Sequence, residues 1–272
     1  MENERMAGGF AERRIARWVG SRAERRSDCI AEEVPVAMHY NGRSFAVMMA
    51  TPRDLEDFAI GFSLSEGLVR SIDQLHGVDV HRRLEGIELA MTVSPEAPAA
   101  RIERTAERLL PGRSGCGMCG MRELEEAVRQ PAPLRCRGSF SAAALKRALR
   151  ELPQHQPMNA ATGAVHAAAW ADAGGRILLA REDVGRHNAL DKLIGAMWHA
   201  RLAPEDGMLL ITSRASYEMV GKAATVGIGC IAAISAPTTL ALELARSAGV
   251  CLVAFARPEG FNVYTHEDRL QD

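Results

Sequence analysis

The chain has 272 residues, 47% of them hydrophobic, which is enough apolar material for one large domain or two lobes and excludes a wholly disordered chain. Its 33 Lys and Arg nearly cancel 34 Asp and Glu, so no global field draws it to nucleic acid or a membrane surface, and an anionic ligand needs a local pocket. The longest apolar runs, Val226 to Ile234 and Val250 to Ala256, fall far short of the roughly 20 residues that span a bilayer, and the N-terminus lacks a secretory apolar stretch, so a cytoplasmic protein without nucleic-acid or membrane partners is expected.

Residues 1–28 are rich in arginine and show no sustained period, so they read as a basic, poorly ordered tail, the competing reading being a short amphipathic arm around Ile15 to Val19. Residues 29–138 read as a β-rich N-terminal portion. Within it, the β-prone runs around Val36 to Tyr40 and Ser44 to Met48 flank Asn41-Gly42, which suits a tight hairpin turn. Thr51-Pro52-Arg53-Asp54 offers a helix start with an acidic residue three after the cap; Leu55, Phe58, Ala59 and Phe62 follow at helical spacing, and Gly67 suits the C-terminal cap. A second hairpin is expected through His81 and Glu88 about Leu84-Glu85-Gly86, then a cysteine loop at 112–120 and a charged helix over about 122–129.

Residues 139–272 alternate differently. A strand at Ile177 to Ala180 precedes a helix in which Leu190, Leu193, Ile194 and Met197 share a face, and Met208 to Thr212 is again a strand. A helix over about 217–226, a strand at Ile231 to Ile234, a helix between Pro237 and Gly249 and a last strand at Val250 to Ala256 complete the pattern. Alternation with short connections predicts βαβ units and a largely parallel sheet covered on both faces.

Six cysteines are too sparse for a disulfide scaffold in a chain of this size. Cys230 and Cys251 lie in apolar runs and read as packing residues. Cys116 and Cys119, in Gly112-Arg-Ser-Gly-Cys-Gly-Met-Cys-Gly120, are the close pair. Such a spacing suits half a zinc site, a dithiol redox couple, or a thiolate nucleophile that carries sulfur beside a thiol able to exchange. No second C-x-x-C and no H-x-E with P-C-x-x-C accompanies it, which disfavours structural zinc and base deamination. The flanking glycines remove bulk around both thiols, which suits a carrier meeting one partner and then another.

A second constellation, Glu182 to Lys192, follows a strand and enters a helix, the place where α/β sheets bind ligands. Gly185 permits close backbone approach, while Arg186 and His187 can meet a phosphate or a base edge at the positive end of the helix; Asp191 and Lys192 have a solvated helix face as their alternative. Ser213-Arg214-Ala215-Ser216 and Ser235-Ala236-Pro237-Thr238 follow two further strands, suggesting a shared cleft for a phosphorylated ligand, although hydroxyl residues also cap helices. No P-loop signature occurs.

Together the motifs resemble one family, the formate dehydrogenase accessory sulfurtransferases (FdhD), over about Glu33 to Thr265. The likeness rests on Asn41-Gly-Arg43, Thr51-Pro52, Ser65-Glu66-Gly67, Gly115-Cys-Gly-Met-Cys-Gly120, Thr162-Gly-Ala-Val-His166, Arg181 to Lys192, Ser213 to Glu218, Ser235 to Thr238 and Phe255 to Tyr264. The resemblance implies a cytidine-deaminase-like α/β core, without deaminase chemistry, joined to a smaller β-rich N-terminal portion, in a homodimer. It implies a sulfurtransferase that takes sulfur from a cysteine desulfurase and passes it to bis-molybdopterin guanine dinucleotide, carrying molybdenum or tungsten, on behalf of the formate dehydrogenase catalytic subunit. Cys116 would then bear the persulfide with Cys119 as its partner. Phe255, Ala256, Arg257, Pro258, Glu259 and Gly260 would form part of the cofactor contact, alongside Arg186, His187, Asn188, Ser213, Arg214 and Ser235, with no resident metal or permanent cofactor. The rival functions are a non-catalytic chaperone for the same molybdenum cofactor and a redox or zinc-binding module.

Overall fold

The computed structural model describes residues 8–101, 131–134 and 138–272. The cysteine loop at 112–120 with Cys116 and Cys119, the helix expected over 122–129, and Cys136 lie outside the described residues.

The expected N-terminal tail is instead ordered strand from residue 10 onward: β1 (Phe10–Val19) and β2 (Arg22–Ala31) pair antiparallel about Gly20, whose φ of +61° makes the turn. Period-2 alternation was missing because almost every residue between Glu12 and Ser27 is exposed on either face. The hairpin of β3 (Val34–Tyr40) and β4 (Arg43–Ala50) turns at Asn41 and Gly42, both at positive φ, as their sequence demands. Helix α1 (Leu55–Ser65) follows, but Thr51 does not cap it: its N-cap is Asp54 in a left-handed conformation with no side-chain cap bond, and the Thr51 hydroxyl accepts instead from the Val184 amide. Strands β5 (Leu75–Arg82) and β6 (Ile87–Val93) pair with His81 opposite Glu88, as expected. The sheet order is β4-β3-β6-β5, and α1 covers one face through Phe58 and Phe62 against Val36, Met38, Leu89 and Met91.

The remaining elements are β7 (Phe140–Ser141), α2 (Ala142–Glu151), α3 (Pro157–Thr162), β8 (His166–Asp172), β9 (Ile177–Asp183), α4 (Arg186–His199), β10 (Gly207–Ile211), α5 (Tyr217–Thr225), β11 (Cys230–Ala233), α6 (Thr239–Ala248), β12 (Cys251–Arg257), β13 (Gly260–Thr265) and β14 (Leu270–Gln271). Six of these strands form one sheet ordered β13-β12-β11-β10-β8-β9. Only β10/β11 and β11/β12 pair parallel, so the largely parallel sheet expected from the alternation is a mixed one. The difference comes from β8, whose Ala167-Ala168-Ala169 run carries a weak strand signal, and from β13, which returns from β12 through Pro258-Glu259.

Successive residues of the central strands are buried on opposite faces. Leu209, Ile211, Ile231 and Leu252 meet α4, α5 and α6, while Met208, Leu210, Cys230 and Cys251 meet α2. Each such Leu, Ile or Met removed from water contributes about 1.5–3 kcal/mol. Cys230 and Cys251 are register partners with free, buried thiols, consistent with packing. The described chain is therefore an α/β protein with a second, smaller sheet in its N-terminal portion. The two portions meet where α1 crosses α4, and glycines make that crossing: a Cβ on Gly61 would overlap the Asp191 carbonyl and one on Gly195 the Asp57 carbonyl. No described helix is long and apolar enough to cross a membrane.

Candidate functional site at the strand ends

Strands β9 and β10 are each antiparallel to β8, and β10, β11 and β12 are mutually parallel, so β9 to β12, apart from β8, end at one edge of the sheet. Ligands of α/β sheets bind outside such carboxyl ends. Here the loops are stitched together: Ala215 N donates to Ala236 O and Thr238 N to Ala215 O, both at 3.1 Å, and Phe255 N donates to Ser235 O at 3.1 Å.

Asp183, at the end of β9, fixes the first turn of α4. Its fully buried carboxylate accepts from Lys192 Nζ at 2.6 Å, Thr51 N at 3.0 Å, Gly185 N at 2.7 Å and Asn188 Nδ2 at 2.9 Å. Lys192 Nζ also donates to Thr51 O at 2.9 Å. Asp191 and Lys192 are therefore fully buried and not a solvated helix face. The neighbouring Glu182 accepts from the Met158 and Asn159 amides at 2.8 Å, and burial holds its carboxyl above the ordinary range.

One turn further, Lys222 of α5 reaches both Asp191 oxygens at 2.9 Å, Ser65 Oγ at 3.0 Å and Glu66 at 2.7 Å. Burial pushes Asp191 up to about 6. Burial alone would lower Lys222, but Asp191 and Glu66 outweigh it and hold the ammonium charged. Sequence reading missed Lys222, Ser65 and Thr51 as members of this scaffold; the available signal was a lysine set among Met219, Val220, Ala223 and Ala224 on a buried helix face.

Above this charged floor the strand ends carry polar atoms without protein partners. His187 Nε2, Arg186 Nε and Ser216 Oγ are buried and make no hydrogen bond among the described residues, an arrangement that costs about 1–3 kcal/mol per group. Burial, then the charges of Arg186 and Lys222, lower His187 to about 3, so its imidazole is neutral at pH 7. Burial and Arg186 lower His166 as well. Neither N-cap residue, Gly185 of α4 nor Ser216 of α5, makes a side-chain cap bond among the described residues, which leaves two positive helix ends at this edge.

The sequence-predicted residues of the C-terminal half all lie at the ends of β9 to β12 or in the segments that follow them. Arg186 is half-buried and His187 buried, whereas Asn188 turns inward, its amide donating to Met49 O and Asp183. Ser213 is buried and donates to Arg214 O; Arg214 is exposed and Ser235 half-buried. Phe255 is 48% exposed at a φ of +50°, a conformation that costs an aromatic residue about 1–3 kcal/mol. Beside it Ala256 is buried, Arg257 donates to Ile234 O at 2.7 Å, Pro258 and Glu259 form the turn, and Gly260 opens β13. Cys116 and Cys119 lie outside the described residues, so their relation to this edge is not part of the geometry. Among the described residues no cluster of His, Cys, Asp and Glu is arranged to hold a metal ion.

Comparison with known proteins gives the chain its relatives. Proteins named sulfur carrier protein FdhD match it from Xanthomonas euvesicatoria, at 52% identity over 96% of this chain and 92% of that protein, and from Cupriavidus necator, at 48% over 94% and 88%. A crystal structure of a protein described as a formate dehydrogenase accessory protein from Desulfotalea psychrophila superposes with a TM-score of 0.74 at 25% identity, covering 96% of this chain and 99% of that one. The family model described as FdhD/NarQ matches residues 31–271, which takes in the four-stranded and six-stranded sheets and the whole strand-end edge, and the chain belongs to the FdhD/NarQ family.

Proposed function

We propose that this chain is a cytoplasmic sulfur carrier, a sulfurtransferase that serves formate dehydrogenase through a persulfide on Cys116. Family membership together with the Cys116-Gly-Met-Cys119 sequence carries this reading. In the first step the Cys116 thiolate attacks the outer sulfur of a cysteine desulfurase persulfide; that S–S bond breaks, the desulfurase cysteine leaves as a thiolate, and Cys116 keeps the sulfur. Attack by the Cys119 thiolate on Cys116 sulfur then expels the outer sulfur as hydrosulfide and closes a Cys116–Cys119 disulfide. The two thiols supply the two electrons, and an external dithiol restores them. Arg113 and Arg122, near in sequence, favour the thiolate.

The acceptor in this proposal is bis-molybdopterin guanine dinucleotide, held as a substrate at the strand-end edge. The chemistry there is supportive: uncapped helix ends and Arg186 and Arg214 suit phosphates, exposed Phe255 offers a face for a guanine, and neutral His187 exchanges hydrogen bonds without adding charge. The working unit is a homodimer. Radiosulfur supplied as cysteine through a cysteine desulfurase should pass through this protein into a formate dehydrogenase awaiting sulfur. Transfer that continues undiminished with Cys116→Ala would contradict the reading.

A further inference from the structure

The hairpin of β1 and β2 is a sheet by itself. Its strands are 10 residues each, and between Glu12 and Ser27 only Ile15 is even half-buried. A lone two-stranded hairpin in water is at best marginally stable, and among the described residues neither of its edges pairs with a further strand. Apolar side chains nevertheless stand in the open on it: Trp18 is 69% exposed, Val19 53% and Ile30 46%.

The arm is also charged against the rest of the molecule. Residues 10–31 hold six arginines against Glu12, Glu24 and Asp28, a net of +3; since the whole chain carries −1, the remainder carries −4. A surface of matching chemistry lies on the four-stranded sheet, on the face that α1 leaves uncovered. Strand register puts Val47 and Met49, 43% and 41% exposed, on that face with Asp79, His81 and Glu88, the last also 3.4 Å from Arg83.

We infer that the β1–β2 hairpin is a dimer arm that lies across the uncovered sheet face of a second copy of this chain, Trp18 and Val19 meeting Val47 and Met49 and its arginines meeting the acidic groups. The inference rests on the homodimer reading given above and names its interface. Reciprocal arms related by a two-fold axis would bury both hairpins at once. Because the arginine contacts are near the surface, added salt should weaken the association.

Sedimentation of the full-length chain tests it. The unaltered protein should run at twice the 29.5 kDa chain mass. Trp18→Glu with Val19→Glu should weaken dimerisation at least about tenfold while leaving the melting temperature of the monomer intact, and Val47→Glu on the receiving face should do the same. An unaltered protein that sediments as a monomer overturns the homodimer reading and the arm with it. A variant that is folded and dimerises as tightly as the unaltered protein overturns the arm alone. Hydrogen exchange of the unaltered protein needs no variant: amides of residues 12–27 should be more protected in the dimer than after dilution to the monomer, and equal exchange in the two states would overturn the inference.

Discussion

Lys192 donates a 2.6 Å hydrogen bond to Asp183, and neither side chain has any exposed surface. The pair ties the end of β9 to the second turn of α4 and, through Thr51, to the N-terminal portion. Removing one member of such a pair strands the other charge. Lys192→Met should therefore cost about 3–5 kcal/mol. Adding Asp183→Asn should recover part of that loss, a non-additivity that denaturant unfolding of the four proteins of the cycle would measure.

The crossing of α1 and α4 makes a prediction whose sign is diagnostic. In an exposed helix interior Gly→Ala gains about 1 kcal/mol. A Cβ on Gly195 would sit 2.0 Å from the Asp57 carbonyl oxygen, so Gly195→Ala should instead destabilise by about 1–3 kcal/mol. A raised melting temperature would show that the helices do not approach this closely.

His187 gives the fold a pH dependence. Its folded pKa is lowered from 6.5 to about 3, so the stability it contributes is fully present above its unfolded value and is lost as pH falls from there toward 3. Between about pH 8 and pH 5 the unaltered protein should lose about 2 kcal/mol more than His187→Asn. Parallel stability curves for the two proteins would contradict a neutral, buried imidazole.

Phe255 should show stability and binding pulling apart. Its φ of +50° suits glycine, so Phe255→Gly should match or exceed the unaltered protein in stability, by up to about 1 kcal/mol. If the ring is the guanine platform, the same change should weaken titrated guanosine diphosphate about tenfold, worth the roughly 1–3 kcal/mol of one base–aromatic stack. Unchanged affinity in a calorimetric titration would remove Phe255 from the site.

Elements with strong local chemistry were legible in the sequence. Asn41-Gly42 announced its turn, and the 3.6-residue spacing of Leu190, Leu193, Ile194 and Met197 announced α4. What escaped depended on partners distant in the chain. The alanine-rich β8 is a strand because β9 and β10 flank it, not through its own propensity. The β1–β2 hairpin has no buried face to impose alternation, so its arginines read as a tail. Helix α2 went unread although Ser141, which caps it through Ala144, was a usable signal. At the site, residue types pointed to the strand-end loops, but hydrogen bonds beneath them join positions 126 and 141 residues apart, Ser65 with Asp191 and the Thr51 carbonyl with Lys192, which no local pattern reveals.

The sulfur-carrying role of Cys116 is tested most directly by intact mass. After incubation with a cysteine desulfurase and cysteine, without reductant, the protein should gain about 32 Da, one sulfur atom held as a persulfide. Brief treatment with a thiol should remove the gain, and Cys116→Ala should never acquire it. A Cys116→Ala protein that gains the same mass as the unaltered chain would contradict the assignment.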